Sequence, residues 1–182
     1  MHLDEREFYT IFIEAKTRYR KLNNTEIVLT FKNGWFFTMR AVPVLSSMFQ
    51  SKRTYLVQVN QKKQKNILSQ LSHDDVFAWF GHELAHIVDY ENMSQCKLLL
   101  FFPRYIFDWK FRSIVEKRAN VVACDHGFAR ELFAIWKKFL EMDNINQWYK
   151  QYIINNYRPD WDNIRDKALA QGVTREIYES FK

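Results

Sequence analysis

Residues that interrupt regular structure are scarce in this chain. Its 182 residues include only 4 glycines and 3 prolines, and no internal repeat or low-complexity segment is visible. This scarcity excludes long flexible or proline-rich linkers. The two cysteines, Cys96 and Cys124, are too few for a disulfide framework, and their spacing is not that of a zinc knuckle. We therefore expect two free thiols.

Long hydrophobic runs are also missing. The N-terminus carries no apolar stretch of the kind that a signal peptide needs, which predicts a cytoplasmic protein. The longest apolar run covers residues 98–103 and is followed by Arg104, so it is far too short to span a bilayer. The wider apolar segment 98–107 is interpreted as core packing or a lid. The alternative is peripheral contact with a membrane surface.

The charge balance is only moderately basic. The formal net charge is +6, and the lysines and arginines are scattered along the chain, as is typical of solvated faces. A basic face for an anionic membrane or nucleic acid is the alternative interpretation. No nucleic-acid-binding motif appears, so nucleic acid is not expected as a partner. With 47% hydrophobic and 17% aromatic residues, the chain can bury a core of its own.

Hydrophobic periodicity predicts one helix followed by three strands. Residues 4–21 repeat apolar side chains at helical spacing and are interpreted as an N-terminal backing helix. Alternating apolar residues then predict strands at 26–31, 35–42 and 53–60. Asn33-Gly34 lies between the first two and predicts a type I′ hairpin turn, which needs positive φ at both positions.

The remainder of the chain is predicted to be helical. Ser72 is the expected N-cap of a helix that runs to about Tyr90, with Asp75 completing a capping box. An irregular segment at 91–102 precedes Pro103, which is well placed at a helix start. The helices predicted from there cover residues 104–124, 128–141, 144–156, 160–171 and 174–181, with Gly127 as a stop.

This order of elements predicts the fold class and the domain organisation. A helix, three strands and then helices alone are typical of an α+β protein. We expect a core at residues 1–128 and a helical C-terminal extension at 129–182, packed on the same domain.

One five-residue motif carries most of the chemical information: His82-Glu83-Leu84-Ala85-His86. Residues four apart share a helix face, so the two imidazoles can bind one zinc ion. The glutamate beside the first histidine can face a metal-bound water and act as general base. The alternative is a chance match on an ordinary helix. A buried helix face, however, does not carry His, Glu and His without partners.

A catalytic zinc site needs a third protein ligand. A longer form of the motif would place Gly and His at positions 89 and 92, but the chain has Asp89 and Asn92 there. Cys96 and Cys124 stay open as ligands, although neither has supporting context. Glu116 is the third candidate.

The surroundings of Glu116 favour it as the third ligand. Glu116 shares one helix face with Ala119, Asn120 and Ala123, at spacings i, i+3, i+4 and i+7. The two alanines let this helix approach the motif helix closely. Asn120 is one turn further on, so its amide can hydrogen-bond a ligand histidine and fix the orientation of its ring. The alternative is a solvated glutamate among basic neighbours.

Together these segments resemble the gluzincin zinc metallopeptidases. The likeness is to the CAAX-prenyl-endopeptidase-like branch and to the small minigluzincins, whose pattern is H-E-x-x-H followed by a helix carrying E-x-x-A-D-x-x-A. Residues 72–87 look like the active-site helix of that family, and residues 116–123 look like its glutamate helix. The resemblance covers roughly residues 24–128 and departs at Asn120, where the family usually has Asp.

The resemblance implies a zincin-like fold and a zinc-dependent endopeptidase. Its metal ligands would be His82, His86 and Glu116, with Glu83 as general base. His126 and Tyr90 are the candidates for stabilising the transition state. The peptide substrate would bind in extended form along an edge strand, with residues 35–42 or 53–60 as candidates.

Asn120 supports a competing interpretation. An amide can accept a hydrogen bond from a ligand histidine, but it supplies no charge to raise the basicity of the ring. The alternative function is therefore a zinc-binding interaction module that is weak or inactive as a protease. A latent, zymogen-like form with a blocked cleft is a third hypothesis.

Overall fold

The computed structural model confirms an α+β protein built from helices and a small mixed sheet. It describes residues 3–34, 37–61, 71–142, 147–148, 150–151, 154 and 161–171. The chain divides into two compact units, Met1–Cys96 and Lys97–Lys182. No helix among the described residues is both long enough and apolar enough to cross a membrane.

The first unit opens with helix α1 (Glu5–Thr17), at the position predicted for the backing helix. Asp4 begins it through a capping box with Glu7, in which each side chain accepts a hydrogen bond from the backbone of the other residue. The helix ends earlier than predicted, and a 3-10 turn (Arg20–Leu22) continues the chain. Its apolar face is buried.

Three strands form the sheet, in the order β1-β3-β2. The strands are β1 (Glu26–Lys32), β2 (Met39–Pro43) and β3 (Thr54–Asn60). The middle strand β3 runs parallel to β1 and antiparallel to β2. The predicted hairpin between 26–31 and 35–42 is therefore wrong, because β3 lies between those two strands. Residues 35–36 lie outside the described residues.

Asn60, at the end of β3, holds the described backbone at the position of the predicted hairpin turn. Its buried side-chain amide donates hydrogen bonds to the carbonyl oxygens of Gly34 (2.7 Å) and Phe37 (2.6 Å). Its backbone N–H donates to the carbonyl oxygen of Thr38 at 2.9 Å. Neither Asn33 nor Gly34 has the positive φ that a type I′ turn requires. Asn60 thus satisfies backbone groups of Gly34, Phe37 and Thr38, which lie between β1 and β2 in sequence.

Helix α2 (His73–Glu91) carries the five-residue motif and packs against α1, β2 and β3. The predicted capping box is confirmed, because the Ser72 hydroxyl accepts from Asp75 N and the Asp75 carboxylate accepts from Ser72 N. At the other end, Arg53 donates to the carbonyl oxygens of Tyr90 (2.9 Å) and Met93 (2.8 Å). A cation there satisfies late carbonyls and complements the helix dipole. Both ends of α2 are therefore fixed by side chains.

A buried tyrosine ties α2 to the chain that follows α1. The hydroxyl of Tyr19 donates to the carbonyl oxygen of Gly81 at 2.6 Å, directly before the motif. The Tyr19 side chain is fully buried. Since it contacts the backbone next to His82, it helps to set the position of the motif helix.

We expect Tyr19→Phe to lower the free energy of unfolding by about 1 kcal/mol, because one buried hydrogen bond is lost while the ring is kept. For a chain of this size that corresponds to a melting temperature about 2–4 °C lower. Urea unfolding measures the loss. Tyr9→Phe, on the exposed side of α1, is the control. Equal midpoints for wild type and Tyr19→Phe would contradict the prediction.

The second unit contains the helices that follow. They are α3 (Gln95–Phe107), α4 (Trp109–Ala123), α5 (Ala129–Glu141) and α6 (Trp161–Ala170), with α3 beginning at the boundary of the units. The predicted helix at 160–171 is thereby confirmed within one residue. The helix predicted at 144–156 falls mainly outside the described residues, and the one predicted at 174–181 falls entirely outside them.

The start of the glutamate helix differs from the prediction. Residues 95–102, predicted as irregular, are helical, and Pro103 lies inside α3 instead of starting a helix. The break falls at Asp108, whose carboxylate accepts a hydrogen bond from Phe111 N and caps α4. This bond lowers the pKa of Asp108. A short polar residue that caps a helix outweighed the proline as a boundary signal.

Gly127 ends α4 as predicted, with a φ of 90° inside the turn Cys124–Phe128. Gln171 spans this turn, because its side chain donates to Cys124 O at 2.7 Å and accepts from Ala129 N at 3.2 Å. Cys96 and Cys124 are free thiols, as expected. Burial raises the pKa of Cys124 to about 12, which keeps it a neutral thiol.

Candidate metal centre

The two histidines of the motif lie on one face of α2 and meet at their ring nitrogens. The Nε2 atoms of His82 and His86 are 3.2 Å apart. Their ring planes are nearly perpendicular, at 89°. His86 is buried and His82 is partly exposed. Helix geometry thus brings two imidazole nitrogens to one point, as the i, i+4 spacing predicts.

The separation of these nitrogens fits a shared metal ion. Two ligand nitrogens that are each about 2.05 Å from a tetrahedral zinc lie about 3.3 Å apart. The observed 3.2 Å agrees with this distance. Neutral imidazole is also a preferred ligand type for zinc. The pair therefore has the chemistry and the spacing to supply two of the ligands of one ion.

An aromatic row continues from the histidines along α2 to the sheet. The ring of Tyr90 stacks on His86, with centroids 6.2 Å apart and planes at 17°. Tyr55, on the middle strand β3, stacks in turn on Tyr90. Packing of this kind restricts the rotamers of His86. The row thereby holds one of the two imidazoles in the orientation that the pair requires.

The hydroxyl groups of Tyr90 and Tyr55 donate hydrogen bonds, one to the sheet and the other to the last residue of α2. Tyr90 Oη donates to the carbonyl oxygen of Ala41 on β2 at 3.4 Å. Tyr55 Oη donates to the carboxylate of Glu91 at 2.6 Å, and burial together with that bond raises the pKa of Tyr55. Within the described contacts, Tyr90 thus supports His86 through its ring. Its predicted role towards a transition state stays a prediction.

Glu83 lies between the two histidines in the sequence. It is buried, with 5% of its surface exposed. An ionisable carboxylate at such a depth is costly unless polar partners surround it. Its position one residue after His82 places it about 100° around the helix from that ligand. It is therefore not one of the solvated glutamates of a surface helix.

Glu116 lies in α4, within the second unit. The hydroxyl of Tyr105 on α3 donates a hydrogen bond to its Oε1 atom. Ala119, Asn120 and Ala123, predicted to share a face with Glu116, are all buried. This face of α4 is thus an interior one, and Tyr105 orients the carboxylate upon it.

Among the described residues, His82, His86 and Glu116 form a group that could hold a metal ion. Each offers one ligand atom, the two histidines from the first unit and Glu116 from the second. Two imidazoles and one carboxylate are a donor set found in catalytic zinc sites, which keep a fourth position open. The group contains the three residues predicted as metal ligands.

The other predicted candidates occupy different environments. His126 lies in the turn after α4, and its Nδ1 donates to the carbonyl oxygen of Val122 at 2.8 Å. Cys96 is exposed at the start of α3, whereas Cys124 is buried in the turn. The described metal-binding group includes neither cysteine. The hydrogen bond from His126 to Val122 is typical of a histidine near the end of a helix.

Comparison with known proteins identifies no family for this chain. No family model, curated protein or solved structure matches the chain. The interpretation of the site therefore rests on its own residues and their geometry.

Two contributors to the site were not predicted from the sequence. Tyr105 orients Glu116 from 11 residues upstream, across the break between α3 and α4. Arg53 caps the end of α2 from the loop before β3. Both act through contacts distant in sequence, so no helical or strand periodicity could have indicated them. The sequence placed Tyr105 and Glu116 about three turns apart on one continuous helix, 104–124, and the break at Asp108 that brings them together was not predicted.

Proposed function

We propose that this protein is a zinc-dependent endopeptidase of gluzincin type with a zincin-like fold. The observation that carries the proposal is the pair of Nε2 atoms of His82 and His86, 3.2 Å apart on a buried helix that also carries Glu83. A helix with both ends capped by side chains suits this role, since a catalytic constellation needs rigid support. The short mixed sheet against α2 is consistent with the proposed fold.

In this proposal the zinc is held by His82, His86 and Glu116. Once bound, zinc supplies a Lewis acid that lowers the pKa of a water molecule towards neutrality and polarises the substrate carbonyl. The protein contributes two neutral imidazoles and one carboxylate, so the complex keeps a net positive charge. Tyr105 and the aromatic row of Tyr90 and Tyr55 hold the ligands in place.

Glu83 moves the proton in the proposed reaction. Its carboxylate accepts a proton from the attacking water and passes it to the amide nitrogen of the substrate. The new bond joins the water oxygen to the carbonyl carbon, and the bond that breaks is the peptide C–N bond. The second proton of the water also ends on the amine, so the products are a carboxylate and an ammonium group and no cofactor other than the metal is needed.

The substrate in this proposal is a peptide in extended form, paired with the edge strand β2. The sheet order leaves β1 and β2 at the edges among the described strands, and β3 is the middle strand. Residues 53–60 are therefore excluded as the edge strand predicted from the sequence. β2 packs against the helix of the motif, and Tyr90 Oη contacts its Ala41. Backbone pairing there would bind peptides with little sequence preference.

We expect Tyr105→Phe to weaken zinc binding by about tenfold, because partners that orient a metal ligand typically contribute 10- to 100-fold in affinity. The substitution removes one hydroxyl and keeps the stack of the ring on Phe101. Competition titration with a chromophoric chelator measures the dissociation constant. Tyr9→Phe is the control. An unchanged affinity would show that Glu116 needs no orientation by Tyr105, or does not bind the metal.

A zinc-binding module without efficient proteolysis is the second candidate function. The observation that favours it is Asn120, a buried amide on the glutamate helix where the resembled family has a carboxylate. An amide cannot raise the basicity of a ligand histidine as a carboxylate does. In this alternative the same three residues bind the metal, while turnover is slow or absent.

Two measurements on the purified full chain test the proposal. Metal analysis after dialysis against zinc should give one zinc per chain, and cleavage of casein or a peptide library should follow addition of zinc and stop on its removal. Stoichiometric zinc without cleavage would favour the binding module. Absence of both would overturn the metal site itself.

A further inference from the structure

Helix α3 exposes an apolar stripe to solvent. The stripe consists of Leu99, Leu100, Pro103, Ile106 and Phe107, all of them exposed. At 100° per residue these five positions fall within about one third of the helix circumference. Leu100 is 73% exposed and Phe107 is 86% exposed, so most of the surface of these two residues is open to solvent.

The opposite face of α3 is already packed in the second unit. Leu98 and Phe101 are buried. The ring of Phe101 stacks on Tyr105 (5.7 Å) and meets Phe111 of α4 edge-on at 5.4 Å. A surface helix that has buried one apolar face ordinarily presents polar residues on the other. The outer apolar stripe of α3 is thus a second apolar face, for which packing within the unit gives no reason.

Basic residues border the stripe. Arg104 lies beside it on α3, in an ion pair with Asp108 (3.4 Å) and over the ring of Phe111. Trp109 follows the stripe, is exposed, and carries Lys110 Nζ 5.7 Å from its ring. Residues 95–123 contain two acidic residues and six basic ones, namely Lys97, Arg104, Lys110, Arg112, Lys117 and Arg118. Arg104 and Lys110 therefore place positively charged side chains beside the stripe, within a segment of net positive charge.

We infer that the stripe of α3 binds the surface of an anionic phospholipid bilayer, with the helix lying in the plane of the interface. Apolar side chains on one face, with lysine and arginine beside them, are what an interfacial helix needs. A tryptophan at the level of the headgroups adds an amphipathic anchor. The inference is independent of the metal site and of proteolysis.

Charge complementarity favours a lipid surface over a second copy of the chain. In a symmetric contact the same stripe would face itself, which brings Arg104 and Lys110 of each copy together at the rim. Like charges placed opposite one another oppose such a contact. Anionic headgroups attract the same residues. The length of α3, 13 residues or about 20 Å, suits a helix that lies on a membrane rather than one that spans it.

Cosedimentation of the full chain with phospholipid vesicles tests this inference. We expect the chain to bind vesicles of phosphatidylcholine with phosphatidylserine, and to bind vesicles of phosphatidylcholine alone much more weakly. Each basic residue near the surface contributes about fivefold to such binding. Arg104→Gln combined with Lys110→Gln should therefore reduce binding by about 25-fold, and added salt should reduce binding by the wild type.

A matched pair of variants separates the stripe from general surface hydrophobicity. Leu100→Gln with Phe107→Gln should reduce vesicle binding at least tenfold, since both side chains would lose apolar burial in the interface. Leu45→Gln with Phe49→Gln is the control, because these residues are 71% and 68% exposed in the first unit. Circular dichroism of each variant checks that it is folded.

Three outcomes would overturn the inference. The first is an absence of binding to anionic vesicles by the folded wild type. The second is an equal loss in the stripe variant and the control variant. The third is a concentration-dependent dimer that Leu100→Gln with Phe107→Gln abolishes while vesicle binding by the wild type is absent. That result would assign the stripe to a second copy of the chain.

Discussion

Replacing His86 with alanine is expected to weaken zinc binding by about 100-fold or more, because loss of a ligand exceeds the 10- to 100-fold effect of losing a partner that only orients one. The neighbouring His82 would remain, but the 3.2 Å pair of nitrogens that fits one ion would be gone. Metal analysis after dialysis measures stoichiometry, and competition titration measures the affinity.

Thermal unfolding gives a second readout of the same substitution. Zinc at 100 times its dissociation constant stabilises the folded state by about 2.7 kcal/mol. For a chain of this length that raises the melting temperature by about 5–11 °C. We expect this zinc-dependent rise in the wild type and its loss in His86→Ala.

His73→Ala is the matched control for His86→Ala. His73 lies in the first turn of the same helix, where its ring contacts the carboxylates of Glu14 and Asp74 at the surface. Its loss should leave zinc affinity unchanged. Glu116→Gln extends the test to the third proposed ligand, and it should weaken binding while the histidine pair is kept. If His86→Ala and His73→Ala bind zinc equally, the pair is not a metal site.

The motif helix could be predicted from sequence because its determinants are local. The capping box of Ser72 and Asp75, the apolar spacing and the i, i+4 histidines all act within a few residues of one another. The structure places each of them as predicted. The same holds for Gly127, since only a positive φ at that position gives this turn and glycine adopts it without strain.

The order of the strands could not be predicted, because it depends on contacts distant in sequence. Asn33-Gly34 favours a hairpin locally. That preference is overridden by β3, which pairs on both sides, and by Asn60, which holds the loop at Gly34. β3 forms backbone hydrogen bonds with β1 on one side and with β2 on the other. This pairing outweighs the local preference of one turn. Alternation of apolar residues identifies strands, but it does not show which strands lie next to each other in the sheet.

The boundary between α3 and α4 shows a different limit. Proline is favoured at a helix start, which made Pro103 the expected boundary. The helix instead passes through it, and Asp108 separates the two helices by capping α4. The carbonyl that loses its helical donor at Pro103 is that of Leu99, and both residues are exposed, so water can satisfy it. The break at Asp108 also matters for the candidate site, since it separates α3 from α4 and lets Tyr105 on α3 reach Glu116 on α4.

Glu83→Gln is expected to reduce peptide hydrolysis by about 10²- to 10⁴-fold, the usual contribution of general acid–base catalysis. Glutamine keeps the size of the side chain but cannot accept a proton at the pH of the assay. Zinc binding should be unchanged, because Glu83 is not one of the three proposed ligands. Cleavage of a fluorogenic peptide library, with zinc content measured on the same samples, provides both readouts.

The contrast between activity and zinc content is what makes this substitution decisive. Glu91→Gln is the control, because it lies at the end of the same helix and its amide oxygen can still accept the hydrogen bond from Tyr55. Equal cleavage by wild type and Glu83→Gln would trace the activity to a contaminating protease. Full zinc in both with no cleavage by either would instead favour the binding module, and Asn120 would be the residue to explain it. Lost cleavage with retained zinc assigns proton transfer to Glu83, since neither misfolding nor loss of the metal produces that combination.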